Sequence, residues 1–131
     1  MRLYEIRDWL KTLDIATNYY SGRIDEKQEK TICVYNDRMD GVESPSIGGY
    51  KCKKSYTFKA SVILQWTKAP KEAEEAANVF EDKLKEVADG GCFKIGSHTV
   101  SGIKILKNMY YGKNEHGLYQ YLFHFDLIYS D

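Results

Sequence analysis

Three features of this sequence predict an α+β domain, with a mostly antiparallel sheet of about five to six strands and two helices packed on one face. The first is clean two-residue alternation in Tyr56–Trp66 and again in Tyr119–Ser130. The second is helical spacing of apolar residues near the start and over Pro70–Gly90. The third is size: 131 residues without an internal repeat or low-complexity stretch suit a single core, so 1–131 reads as one domain.

The elements follow in chain order. Leu3, Ile6, Leu10 and Leu13 share one helical face, with Trp9 beside them and the charges largely elsewhere, so the first dozen residues predict an amphipathic helix. Tyr19–Ile24 and Thr31–Tyr35 are rich in aromatic and β-branched residues and flank the polar run Asp25–Lys30, which reads as two strands of a hairpin. Residues 36–55 contain Asp40-Gly41, Ser44-Pro45 and Gly48-Gly49 without periodicity, the pattern of an extended loop or arm.

From Tyr56 the residues Tyr56, Phe58, Ala60, Val62, Leu64 and Trp66 fall on one face of a long strand with that face buried. Pro70 at the start, acids in the first turns and Gly90-Gly91 at the end bracket a helix whose stripe is Ala73, Ala76, Ala77, Phe80, Leu84 and Val87. Cys92–Ile95 and His98–Leu106 form a tight hairpin in which Gly96 supplies the positive φ and Gly102 marks a bulge. Asn108–Gly117 reads as a second polar connection before the core strand Tyr119–Ser130.

Composition removes several function classes. Lys plus Arg and Asp plus Glu each total 19, so the net charge is +0 and no global field draws the chain to nucleic acid. No segment approaches the ~18 consecutive apolar residues of a bilayer span, and charges interleave Met1–Asp8 where a signal peptide would be apolar. The 3 cysteines, Cys33, Cys52 and Cys92, form no C-x-x-C pair and read as reduced thiols. The 11 Tyr stand out, because Tyr suits both half-buried strands and protein interfaces.

Motifs for chemistry are sparse. His98, His116 and His124 lack metal-ligand spacing, with one another or with the cysteines, so no metal site is expected. No phosphate-binding loop, dinucleotide fingerprint or nucleophile elbow occurs, so no cofactor and no enzymatic activity are expected. His124 and Asp126, two residues apart on one strand face, are the candidates for a small hydrolytic or ligand-binding site, against which stands an ordinary polar sheet face. Tyr50, Lys51, Lys53, Lys54 and Tyr56 allow a single-strand nucleic-acid reading, against which stands a lysine-guarded strand edge.

Ile6–Leu10, Asn18–Asp25, Glu29–Asn36, Gln65–Lys68 with Glu72–Ala77 after it, and Gly117–Leu127 carry a resemblance that spans most of the chain. These phrases resemble a family of phage minor capsid proteins from phages and prophages of low-GC Gram-positive bacteria, related to the tail terminators of long-tailed phages. The resemblance implies a structural protein that forms a ring, a hexamer, capping the head-proximal end of the tail tube. Its partners would be further copies of itself, the major tail tube protein and a head-completion or neck protein, with DNA only passing through the lumen. It implies the host cytoplasm during assembly and then the virion, and it brings no catalytic residue and no cofactor. A different neck or head–tail joining protein is the alternative within the same context.

The two long connections are the parts able to reach neighbours. Asp37, Arg38, Met39, Tyr50, Lys51, Lys53 and Lys54 in the first, with Tyr110 and Tyr111 in the second, are the candidate interface to other subunits or to the tube. Charge is segregated as well: Lys71–Asp89 holds 7 acids and 3 bases, about −4, which leaves about +4 on the rest.

Overall fold

The computed structural model describes residues 1–36, 41–45, 54–106 and 109–130. The chain order is α1 (Leu3–Thr12), β1 (Asn18–Ser21), β2 (Thr31–Tyr35), β3 (Gly41–Pro45), β4 (Lys54–Gln65), α2 (Pro70–Asp89), β5 (Phe93–Ile95), β6 (His98–Ile105), β7 (Met109–Lys113) and β8 (Tyr119–Ser130). One mixed sheet runs β1-β2-β4-β8-β6-β5, with β3 added to β4 and β7 added to β8. All its pairings are antiparallel except β1 with β2.

The long alternating strands β4 and β8 form the centre, paired from Tyr56–Tyr129 to Gln65–Gln120. Because opposite residues share a face, the register aligns apolar rungs: Ile32–Leu64–Tyr121, Val34–Val62–Phe123, Ala60–Phe125–Ile105 and Phe58–Leu127–Ile103. Ile6 and Leu10 of α1 and Ala76, Ala77, Phe80 and Leu84 of α2 join these residues in a single core, so both helices cover the same face. Of the predicted helical stripes Ile6, Leu10, Ala73, Ala76, Ala77, Phe80 and Leu84 are buried, while Leu3, Leu13 and Val87 are half-buried.

Local chemistry sets the ends. Glu5 reaches back to accept the Arg2 backbone N–H at 2.9 Å, starting α1 with an acid in its first turn. Pro70 opens α2, where its missing N–H costs nothing. Gly96 sits at φ +61° in the β5–β6 turn, a conformation that favours glycine, and a Cβ there would displace the Glu5 carboxylate. The register shifts between Val100 and Gly102, which is the expected bulge.

Three expectations are corrected. β1 and β2 are a parallel pair, Asn18 on Thr31 through Ser21 on Val34, and not a hairpin. The segment after Ser21 does not turn back on itself. Gly22 donates its N–H to Val34 O, the chain then retraces the length of the strand, and Thr17 and Asn18 donate to Lys30 O at the other end. Lys30, at φ +53°, swings the chain into β2.

The second correction concerns the arm at 36–55, which contains strand β3 and yields two residues to β4, starting at Lys54. The third concerns the polar connection 108–117, which contains β7. Both strands flank a longer neighbour on one side only. In β7 four of the five residues are exposed, on both faces, so that strand shows no alternation for a pattern search to find. The expected five to six strands are the main path of six, and the two additions are those edges.

Candidate functional site

The residues singled out from sequence divide sharply. Asp37, Arg38, Met39, Tyr50, Lys51 and Lys53 lie outside the described residues. Lys54 begins β4 opposite Pro45 of β3. Tyr110 and Tyr111 stand in β7, 54% and 57% exposed, and Met109 before them is 46% exposed. Three consecutive large side chains with apolar surface in water on a sheet edge are costly to leave uncovered, which makes this edge the candidate interaction surface.

This edge is built firmly. Asn114 accepts from the His116 and Leu118 backbone N–H groups at 2.9 and 3.1 Å, and Gly117 turns at φ +80°, closing the hairpin into β8. Tyr111 is the extra residue of a bulge between Tyr110 and Gly112. The Tyr110 ring meets Tyr121 at 5.5 Å and Tyr119 at 6.1 Å, and the Lys113 ammonium lies 5.6 Å from the centre of the Tyr119 ring. Desolvation, with Glu74 second, raises the Tyr121 phenol pKa. The Tyr110 ring is therefore held in place rather than dangling, the condition for binding at modest entropy cost.

A buried amide cluster holds the same end of the sheet. Gln65 is fully buried; its Nε2 donates to Asp25 O at 2.9 Å and Gln28 O at 2.7 Å, while its Oε1 accepts from Asn114 Nδ2 and Gln120 Nε2, both at 2.9 Å. Asn114 Nδ2 also donates to Glu26 O at 2.7 Å. Every hydrogen-bonding site of the Gln65 amide is used, which fixes the 25–28 connection and the 114–118 turn together. Sequence reasoning missed this cluster. The available signal was a glutamine at the end of each core strand, Gln65 and Gln120, where the alternation alone called for any polar residue.

Those two pinned loops border an open cleft of about 830 Å³ lined by Tyr20, Arg23, Asp25, Glu26, Lys27, Tyr35 and His116. Burial pushes the neighbouring Cys33 thiol above its ordinary 9.0. Burial first, and hydrogen bonding with Cys33 second, push the Tyr35 phenol well above its ordinary 10.0. Both groups therefore keep their protons in the folded chain at a pH where the unfolded chain has lost them. Their stabilisation is complete below pH 9 and is lost as pH rises through and beyond 9 to 10. Urea titrations from pH 8 to 11 should show a stability falling with pH, and Tyr35→Phe should fall less steeply; an unchanged slope would remove Tyr35 as a cause.

The His124–Asp126 pair is brought to the helix-free face, but not into a catalytic arrangement. His124 Nδ1 lies 2.7 Å from Ser61 Oγ, its cross-strand partner, while Asp126 sits one rung away between Lys59 and Lys104. In a nucleophilic triad the acid orients the histidine nitrogen that the serine occupies here. Both strands are flanked on each side by ladder partners around these residues, which takes up the backbone N–H groups an oxyanion site would use. Tyr56, of the nucleic-acid reading, is half-buried and stacks on Tyr129 at 5.5 Å on the helix-bearing face.

Among the described residues no group of three or more His, Cys, Asp or Glu side chains is placed to hold a metal ion. No helix among them is long and apolar enough to cross a membrane. No protein-family model matches the chain, and a comparison with curated proteins finds no match either. What the arrangement offers chemically is backbone hydrogen bonding along open edges and aromatic contact, which is the chemistry of assembly.

Proposed function

We propose that this chain is a structural subunit that assembles with copies of itself into a ring and caps a phage tail tube, a tail terminator with a fold of that type. No bond is made or broken in this role, and no cofactor enters it. The partners are further copies of the chain, the tail tube protein and a head-completion protein, with DNA passing through the lumen. The observation that carries the reading is the exposed Met109-Tyr110-Tyr111 edge of β7. The resemblance of the core phrases to the minor capsid family supplies the context.

Two further features support it. A ring requires two different complementary surfaces on each subunit, and charge is already divided between an acidic α2, with Glu74, Glu75, Asp82 and Glu86 exposed, and a basic remainder. Three of the five exposed large apolar side chains among the described residues are consecutive on β7, the other two being Tyr4 on α1 and Val79 on α2.

Light scattering over a concentration series, then negative-stain microscopy after mixing with tail-tube protein, tests the proposal. Rings, or tubes capped at one end that stop growing, are expected. Tyr110→Ser with Tyr111→Ser should weaken association roughly 10- to 100-fold while leaving thermal stability nearly unchanged, as for loss of central interface aromatics. A protein that stays monomeric at every concentration and salt and ignores tubes would overturn the reading. Association without blocking of tube ends would favour a neck protein instead.

A further inference from the structure

β3 and β7 are the two strands off the main path of the sheet, and among the described residues each has one neighbour only. They lie on opposite sides of the β4–β8 pair and at opposite ends of it. Val42 is opposite Tyr56, whereas Tyr110 is opposite Tyr121, which faces Leu64, eight residues further along β4. That offset is about 27 Å along the strands. Each strand therefore turns an outer row of backbone N–H and C=O groups away from the sheet, and such a row accepts another extended chain.

We infer that the β7 edge of one copy pairs with the β3 edge of a second copy, extending the sheet from subunit to subunit. The inference rests on the self-assembly reading above and names the surfaces it uses. β3 is antiparallel to β4, β4 to β8, and β8 to β7, so β3 and β7 run in opposite directions within one subunit. Neighbours related by a modest rotation keep that relation, and the junction is then antiparallel, the more stable pairing.

The second copy is the fitting occupant for three reasons. Both strands are five residues long. β3 carries Glu43 and β7 carries Lys113, opposite charges on the two edges. And because the two edges differ and sit at opposite corners, joining them is head-to-tail and leaves each new subunit with one of each, whereas β7 on β7 would stop at a dimer. The contact is also bounded: Pro45 closes β3, and the Gly112 bulge interrupts β7, so pairing is confined to a short register instead of spreading.

Two single-cysteine edge variants test this. Glu43→Cys in one chain and Lys113→Cys in another, both with Cys52→Ser and Cys92→Ser, are mixed and oxidised while Cys33, fully buried, is left in place. A disulfide-linked heterodimer at least tenfold above either homodimer is expected. In parallel, Lys113→Glu should weaken association and adding Glu43→Lys should restore it, with unchanged melting of each chain. Association by light scattering with no heterodimer and no charge-swap rescue would overturn the edge pairing and leave self-assembly standing. Absence of association under every condition would overturn both.

Discussion

Gln65→Ala is expected to lower the stability of the domain by about 3–4 kcal/mol, the cost of several buried groups losing their partner at once. The side chain is fully buried and makes four hydrogen bonds. Alanine leaves the Asp25 and Gln28 carbonyls and one amide hydrogen each of Asn114 and Gln120 facing a void too small to hydrate them all. Glu is the telling comparison, because a carboxylate sets oxygen against the two carbonyls that now receive N–H groups. Gln65→Glu should therefore be worse than alanine at neutral pH and recover in part on acidification, as the carboxyl gains a proton to donate. Urea unfolding at two pH values measures both effects. A loss under about 1 kcal/mol would mean that water replaces the amide and that the cluster is not the fastener described.

Phe80→Ala is expected to cost about 3–5 kcal/mol, the range for emptying a buried aromatic site. Phe80 is fully buried and meets Phe123 edge-on, 4.7 Å between ring centres at 86°. Its neighbours on the stripe towards the start of α2, Ala73, Ala76 and Ala77, are already small, which leaves Leu84, one turn on, as the long buried side chain of α2 beside the gap. A domain of this kind has roughly 5–15 kcal/mol in total, so this single change removes a large share. Thermal melting should drop by about 10–20 °C. Phe80→Leu should cost markedly less; if the two variants melt together, collapse of α2 onto the sheet is closing the cavity.

Legibility in the sequence tracked how strongly each residue's position constrained its chemistry. α1, α2, β4 and β8 were readable because one face of each is buried in a common core, and burial imposes a period on the residues. The Gly96 turn and the Gly102 bulge were readable because only glycine suits them. β7 was not, since its residues are exposed on both faces and exposure imposes no period; β3 lay within a stretch whose turn signals, Asp40-Gly41 and Ser44-Pro45, hid it. The parallel course of β1 and β2 was not either. It depends on Gln65, forty residues away from Asp25, holding the returning segment, and no local pattern reports such a partner.

The candidate site was legible in part. Tyr110 and Tyr111 were singled out by composition and position, and the structure places both on β7 with their side chains exposed. Met109 was passed over because it belonged to no pattern. The His124–Asp126 spacing placed both residues on one face correctly, yet spacing along a strand says nothing of the cross-strand partner, and Ser61 takes the nitrogen that an acid would need.

The central strand of the sheet, β8, is the final strand in chain order. Its partner β4 lies more than fifty residues earlier at every rung, the widest separation of any strand pair in the sheet, so the most extensive contact is also a slow one to form by the usual dependence of folding rate on sequence separation. During synthesis β4 and α2 leave the ribosome with nothing to complete their core. β7 in turn has no strand to lie on until β8 arrives. The exposed tyrosine edge thus comes into being only once β8 is in place, and on the self-assembly proposed above a chain lacking β8 would lack the surface by which it joins others.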